Sequence, residues 1–255
     1  MQISNHAFLV TGAGSGLGAA TARHIVAHGG RALLVDLAEA AGRQVADGIG
    51  PSARFVRADV TSEDEVRGAL AELPREWGEL RGLVHCAGVI GASRVVGRDG
   101  PHDLALFERI VRINLSGTFN VARLAAATMS QNSPLADGER GVVVLTSSVA
   151  AFDGQLGQAA YAASKGGVAS LVLPMARELA RFGVRVVAIA PGVFETPMVL
   201  GLDSTVQQSL AAQAPFPARL GRPEEFAQFA AQIIENPMLN GAVLRLDAAL
   251  RMSGK

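Results

Sequence analysis

Tyrosine, tryptophan, cysteine and lysine are almost missing from this chain. Among 255 residues, Tyr161, Trp77 and Cys86 are each the sole member of their type, and lysine occurs only at 165 and at the last position. Each shortage excludes something. One cysteine cannot form an intrachain disulfide, and His6, His24, His28, His85 and His102 show no zinc-ligand spacing, so no metal is expected. No apolar run reaches the roughly 18 uncharged residues that span a bilayer. The opening MQISNHAFLVTG lacks the basic segment, apolar stretch and small-residue cleavage site of a secretory leader. The 23 Lys and Arg balance the 23 Asp and Glu, without the basic excess of a general nucleic-acid binder. The expectation is a soluble, cytoplasmic protein with neither nucleic-acid nor membrane partners. Trp77, at an expected helix end, reads as packing.

What is present acquires weight from those shortages. All but two of the 23 cationic side chains are arginine, yet position 165 carries lysine. Guanidinium is planar and permanently charged, whereas a buried ammonium is compact and can shed its proton. Tyr161 precedes Lys165 by four residues, so on a helix the two lie one turn apart on the same face. A phenol beside a fixed ammonium loses its proton more easily and suits general acid–base work. Taken alone, the pair also reads as a buried tyrosine with a snorkelling lysine.

Apolar runs rich in Val, Ile and Leu alternate with longer helical patterns. Strands are expected near 6–11, 31–36, 53–60, 80–88, 141–148, 184–192 and 242–247. Helices are expected near 16–28, 38–49, 62–77, 103–131, 159–182 and 223–236. Continuous apolar strands between helices indicate a parallel sheet covered on both faces. The expected fold is therefore α/β: one doubly wound Rossmann domain over 1–255, with a seven-stranded parallel sheet. Two segments break the rhythm. Residues 89–103 read as an irregular loop after the fourth strand. Residues 193–222 read as a long insertion after the sixth, carrying Met198, Val199, Leu200, Leu202, Phe216 and Leu220. Ligands bind beyond the carboxyl ends of such strands, so the insertion is expected to be a substrate lid. The other reading is a long surface loop.

The first strand runs into Thr11-Gly12-Ala13-Gly14-Ser15-Gly16-Leu17-Gly18, where a helix begins. Glycines 12, 16 and 18 permit a tight turn, close approach to a pyrophosphate, and close helix–sheet packing. Ser15 and Leu17 lie at the helix N-terminus, whose free N–H groups favour phosphate. Asp36 closes the second strand, where an acid bonds ribose hydroxyls and repels a 2′-phosphate, which selects NAD over NADP. It can equally cap the next helix. Asp59 and Val60 end the third strand and suit an adenine. Cys86, Ala87 and Gly88 end the fourth, where small residues admit a cofactor; Cys86 can also be simple packing.

Together these motifs resemble the short-chain dehydrogenase/reductase family along essentially the whole chain. TGAGSGLG, the Asp59-Val60 pair, Cys86-Ala87-Gly88, Asn114, Ser148, Tyr161-Ala-Ala-Ser-Lys165 and Pro191-Gly192 followed by Thr196 carry the resemblance. One departure is Cys86, where the family usually has Asn. Within the family, SVAAFDGQLGQAAYAASKGG, IAPGVFETPM, PFPARLG and IIENPMLNGAVLRLDAALRM look like the type 2 3-hydroxyacyl-CoA dehydrogenases, which share that Cys variant.

The resemblance implies NAD-dependent interconversion of (3S)-3-hydroxyacyl-CoA and 3-oxoacyl-CoA. It implies Tyr161 as general base, Lys165 on the nicotinamide ribose and beside the phenol, and Ser148 on the substrate oxygen. Ser147 is adjacent, but strand alternation points it away. Asn114 would interrupt helical hydrogen bonding and hold a water near the lysine, while Phe194 and Thr196 would meet the nicotinamide carboxamide. Gln155 or Gln158 faces the substrate or is a solvated loop amide. Arg94, Arg98 and Arg219 are candidates for acyl-CoA phosphates. A hydroxysteroid or other hydrophobic secondary alcohol is the alternative substrate, and a noncatalytic dinucleotide-binding scaffold or sensor the alternative class. The apolar helices 103–131 and 159–182 suggest burial against partner chains, and the resemblance implies a homotetramer.

Overall fold

The computed structural model describes residues 1–254, without the side chain of Met198. Seven strands form one wholly parallel sheet: β1 (Ala7–Thr11), β2 (Arg31–Asp36), β3 (Ala53–Arg57), β4 (Leu80–His85), β5 (Gly141–Thr146), β6 (Val184–Pro191) and β7 (Val243–Leu246). Their spatial order is β3-β2-β1-β4-β5-β6-β7. β1, β4, β5 and β6 are buried from end to end, as expected for strands covered on both faces.

Alternation along β1 assigns its residues to two cores. Leu9 joins Leu33, Leu83, Leu145 and Val186 beneath helices α3 (Glu63–Ala71), α5 (Thr118–Met129) and α6 (Ala159–Leu179). Phe8 and Val10 join Val84, Val144 and Ile189 beneath α1 (Gly16–Ala27), α2 (Glu39–Ile49) and α9 (Pro223–Glu235). The chain winds outward from β1 through β2 to β3, then returns to set β4 against the other side of β1. That reversal opens a crevice beyond the carboxyl ends of β1 and β4, where ligands bind in such sheets.

The structure differs from the sequence expectation chiefly at that edge. The strands stop short of the expected 60, 88 and 148, ending at Arg57, His85 and Thr146. Residues 89–103 contain a two-stranded hairpin, Val96–Gly97 against Gly100–Pro101, whose turn closes on Gly100 at φ +126°. The 193–222 segment is not irregular throughout. It holds α7 (Pro197–Leu200) and α8 (Ser204–Ala212), the latter capped by Asp203 through Thr205 N–H at 2.8 Å. The expected 62–77 helix ends at Ala71, and Pro74 opens a separate single turn at 75–77 that buries Trp77. The long helix expected over 103–131 is α4 (Leu104–Val111) running into α5 through a π-turn at Arg112–Gly117.

Candidate active site

The Gly-rich turn is built for close approach. Gly12 adopts φ +64°, and a Cβ there would sit 2.7 Å from the Ala87 nitrogen. A Cβ on Gly18 would fall 2.2 Å from the Gly12 carbonyl oxygen, so only glycine lets α1 start this near the sheet. Ser15 is exposed at the N-cap of α1 and its hydroxyl does not cap the helix, so the first turn opens on solvent with unpaired N–H groups. The Asp36 carboxylate accepts from Gly14 N–H and Ala38 N–H, each at 2.9 Å. It thus caps locally and still keeps lone pairs for another donor. Asp59 closes its own turn by accepting from Thr61 N–H at 2.8 Å, and Val60 packs against Gly117 of the π-turn. Thr196, near the start of the 193–222 segment, reaches across to the position a Gly16 Cβ would take, at 3.2 Å. Pro191 is buried at the end of β6, and Gly192 donates to Leu246 at 2.9 Å. A cradle that any Cβ would fill, with a carboxylate at the second strand end, fits a dinucleotide.

Four segments converge beside this cradle. The π-turn places Asn114, fully buried, between the loop after β4 and α6. Its Oδ1 accepts from Val89 N–H at 2.8 Å, and its Nδ2 donates to Val89 O at 2.9 Å and Ser164 Oγ at 3.1 Å. A Cβ on Gly88 would lie 3.1 Å from Asn114 Oδ1 and 3.4 Å from Lys165 Nζ, so these three positions share one corner. Lys165 is buried and donates to Thr146 O at 2.9 Å. Its ammonium lies 5.9 Å from the centre of the Tyr161 ring, as the four-residue spacing requires. Ser148 turns toward the same place. Its Oγ accepts from Ala150 N–H at 3.1 Å, and it is near enough to the Tyr161 phenol to favour the ionised form. Ser147 points away and donates to Lys165 O at 2.9 Å.

Electrostatics here are dominated by burial. Burial depresses the Lys165 ammonium to about 8. The Tyr161 phenol is pushed up from its ordinary value, because burial outweighs the opposing hydrogen bond from Ser148. This reverses the expectation that the neighbouring lysine would lower the phenol in the protein itself. The ammonium is engaged by the Thr146 carbonyl, and desolvation is the larger effect. Cys86 is pushed up to about 12 by burial, with the Thr146 hydroxyl at 3.8 Å, so its thiol is inert.

Some expected residues lie differently from the simplest picture. The Phe194 ring packs edge-on against Phe226, with centroids 6.4 Å apart, and belongs to the α9 core, while its carbonyl accepts from Thr196 N–H at 2.8 Å. Gln155 donates from Nε2 to Ser253 O at 3.1 Å, and the Gln158 side chain accepts from Gln155 N–H at 3.0 Å. Arg219 pairs with Glu225 at 2.5 Å, while Arg94 and Arg98 have no carboxylate within 4 Å among the described residues. Sequence reasoning missed Thr11 and Thr146. Thr11 Oγ1 sits 2.8 Å from His85 Nδ1 and accepts from Ala87 N–H at 3.3 Å, while Thr146 donates to His85 O at 2.6 Å. Polar side chains closing all-apolar strands were the available signal.

The family profile for short chain dehydrogenase matches residues 6–207. The chain is 49% identical over 246 residues to the 3-hydroxyacyl-CoA dehydrogenase type-2 of Bos taurus, covering 96% of this chain and 94% of that one. The crystal structure of 3-hydroxyacyl-CoA dehydrogenase type-2 from Mycobacterium avium superposes over all of both chains, with a TM-score of 0.94 and 43% identity. A 3-ketoacyl-(acyl-carrier-protein) reductase from Brucella melitensis, complexed with NADH, superposes over 98% of this chain and 100% of its own, with a TM-score of 0.87 and 27% identity.

Proposed function

Because the chain belongs to the short chain dehydrogenase family and is an oxidoreductase, we propose that it interconverts (3S)-3-hydroxyacyl-CoA and 3-oxoacyl-CoA, with NAD as cofactor. The convergence of Ser148, Tyr161 and Lys165 beside the Gly-rich cradle carries this reading. When bound, the nicotinamide dinucleotide supplies the hydride acceptor and, in its oxidised form, a positive charge. Asp36 holds the adenosine ribose and excludes a 2′-phosphate. Gly12, Gly14, Ser15, Gly16, Leu17 and Gly18 receive the pyrophosphate at the start of α1. Lys165 turns its remaining N–H donors to the nicotinamide ribose, and Gly88 leaves it room. Ser148 donates to the substrate oxygen and stabilises the charge that grows on it. Tyr161 takes the hydroxyl proton during oxidation and returns it during reduction. Since burial raises the phenol in the protein alone, its ionisation awaits the added positive charge.

The substrate side favours a long, partly apolar molecule. Phe152 and Leu156 on the loop before Tyr161, and Leu200, Leu202 and Phe216 on the 193–222 lid, are exposed at the crevice edge. Arg94 and Arg98, on the loop after β4, would take the phosphates of the CoA moiety; Arg219 would not, being held by Glu225. A hydroxysteroid would need no such cations, so this observation favours the thioester. Exposed Phe119 on α5 and Leu173 on α6 mark the helix faces we assign to a homotetramer, checked by light scattering.

The test is Tyr161→Phe assayed with acetoacetyl-CoA and NADH. Turnover should fall by about 100-fold or more, as expected for removal of a general acid, while the NADH dissociation constant stays within about twofold. Wild-type protein that oxidises NADH with steroids but with no 3-oxoacyl-CoA would transfer the reading to hydroxysteroids. Absence of turnover with any carbonyl would leave a dinucleotide-binding scaffold.

A further inference from the structure

The loop between Ser148 and Tyr161 is fastened on both flanks. On one side Ser93 N–H donates to Gly157 O at 2.9 Å, from the loop after β4. On the other lies the C-terminal segment, and Arg245 at the end of β7 joins the two. Its Nη2 donates to Asp153 Oδ2 at 2.5 Å and to Leu250 O at 2.9 Å, its Nε donates to Asp247 Oδ2 at 2.6 Å, and its guanidinium lies 5.5 Å from the centre of the Phe152 ring. Gln155 adds its bond to Ser253 O. Asp153 is 92 residues from Arg245 in the chain, and both side chains are more than three-quarters buried.

The turn that brings the C-terminal segment here is strained. Ala248 and Ala249 have φ of +51° and +62°, left-handed conformations that alanine avoids. Such backbone persists only where its surroundings over-determine it. Asp247 does so from both ends, accepting from Arg245, from Arg251 at 3.2 Å and from Ala249 N–H at 3.1 Å. The same turn presses on the crevice, because a Cβ on Gly192 would lie 3.0 Å from Asp247 Cα.

We propose that Arg245 is a positioning residue for the reaction: paired with Asp153 and with the C-terminal turn, it holds the loop that joins Ser148 to Tyr161, so that the two hydroxyls keep one geometry. The inference rests on the roles assigned above to Ser148 and Tyr161. Arg245 touches neither; it acts through Asp153 and Phe152. Its bonds form one unit, so disabling either end of the Arg245–Asp153 pair should release the same loop.

The experiment is a double-mutant cycle of Arg245→Met and Asp153→Asn in the full chain, with hydrogen exchange read on the NADH-bound protein without substrate. Each single change should lower kcat by about 10- to 100-fold, the scale of a misplaced reacting group. The NADH dissociation constant should stay within about twofold, and the double variant should be no worse than the poorer single one. Exchange over 149–157 should quicken while β5 and β6 stay protected. Additive losses, an unchanged kcat in Asp153→Asn, or quickened exchange throughout the sheet would overturn the proposal, the last by showing a merely structural role. If wild-type protein turns over no carbonyl, the catalytic reading fails by itself. The exchange pattern then still decides whether the loop is held.

Discussion

Replacing Lys165 with methionine should make the protein more stable and inactive at once. The side chain is 4% exposed, and burial holds its ammonium at about 8, against an ordinary 10.5. At about 1.4 kcal/mol per pH unit, the charged form costs the fold roughly 3 kcal/mol. The sign follows from proton counting. Between pH 8 and 10.5 the unfolded lysine keeps a proton that the folded one has lost, so wild-type stability rises with pH across that window. Below pH 8 the cost is present in full. Methionine fills similar volume without charge but leaves the Thr146 carbonyl unpaired, which costs about 1–3 kcal/mol. The net gain at pH 7 is therefore up to about 2 kcal/mol, or roughly 4–8 °C in Tm for a chain this long. The assay is thermal unfolding of cofactor-free wild type and Lys165→Met at pH 7 and pH 10.5, beside turnover at pH 7. The variant's advantage should vanish or reverse at the higher pH, and turnover should drop by about 100-fold or more. A variant that melts well below wild type at pH 7, or that keeps turnover, refutes the account of Lys165 as a strained, functional charge.

Other consequences can be measured as directly. Asp36→Ser should raise the KM for NADH by about 10- to 100-fold, the strength of hydrogen bonds to a charged group, and improve the relative use of NADPH; an unchanged NADH/NADPH ratio would remove Asp36 as the selector. His85 is buried, and burial lowers it to about 3, so the folded protein refuses a proton that the unfolded chain accepts near 6.5. Stability should fall as pH drops below 6.5, by about 2 kcal/mol at pH 5. His85→Asn should flatten that slope in urea unfolding, and an unaltered slope would assign the acid lability elsewhere. Arg185 bonds Glu139 at 2.8 Å and the carbonyls of Ile233, Ile234 and Leu239, closing the C-terminal end of α9. Arg185→Met should cost about 3–5 kcal/mol, because it orphans those three carbonyls and leaves Glu139 with only the N-terminal ammonium at 2.7 Å, which calorimetry would show as a Tm lower by about 10 °C or more.

The sheet was legible because its strands are buried on both faces and therefore read as unbroken Val, Ile and Leu runs. The site was legible in part for a related reason. Tyr161 and Lys165 are linked by helical period, and Gly12, Gly16 and Gly18 by a local turn, so spacing alone places them. What depends on distant pairing was not legible. The Asp153–Arg245 contact spans 92 residues and carries no periodic signal. The Val96–Pro101 hairpin has strands of two residues, too short for alternation to show. The π-turn at Arg112–Gly117 adds no residue type that an α-helix lacks, so only the family resemblance, through Asn114, pointed to an interruption there. Tyr161 is the instructive case: spacing reveals its cationic neighbour, but only the fold reveals the burial that outweighs it.

The scarcity of lysine takes its meaning from the same corner. Among the described residues Lys165 finds one hydrogen-bond acceptor, the Thr146 carbonyl, and a Cβ on Gly88 would lie 3.4 Å from its Nζ. An arginine there would bring five donors in a fixed plane and a charge it cannot surrender. Buried with a single partner, most of those donors would be orphaned. Where arginine is buried elsewhere in this chain, its fork is filled: Arg185 reaches one carboxylate and three carbonyls, and Arg81 reaches Ser133 O, Arg140 O and Glu79. These two buried arginines thus sit where several acceptors converge on one fork. The chain's one internal lysine sits where a single acceptor is fixed, which suits the proposed bond to an arriving cofactor. That difference supports the binding and catalytic role proposed for Lys165, and it gives a reason why a chain so rich in arginine does not use one there.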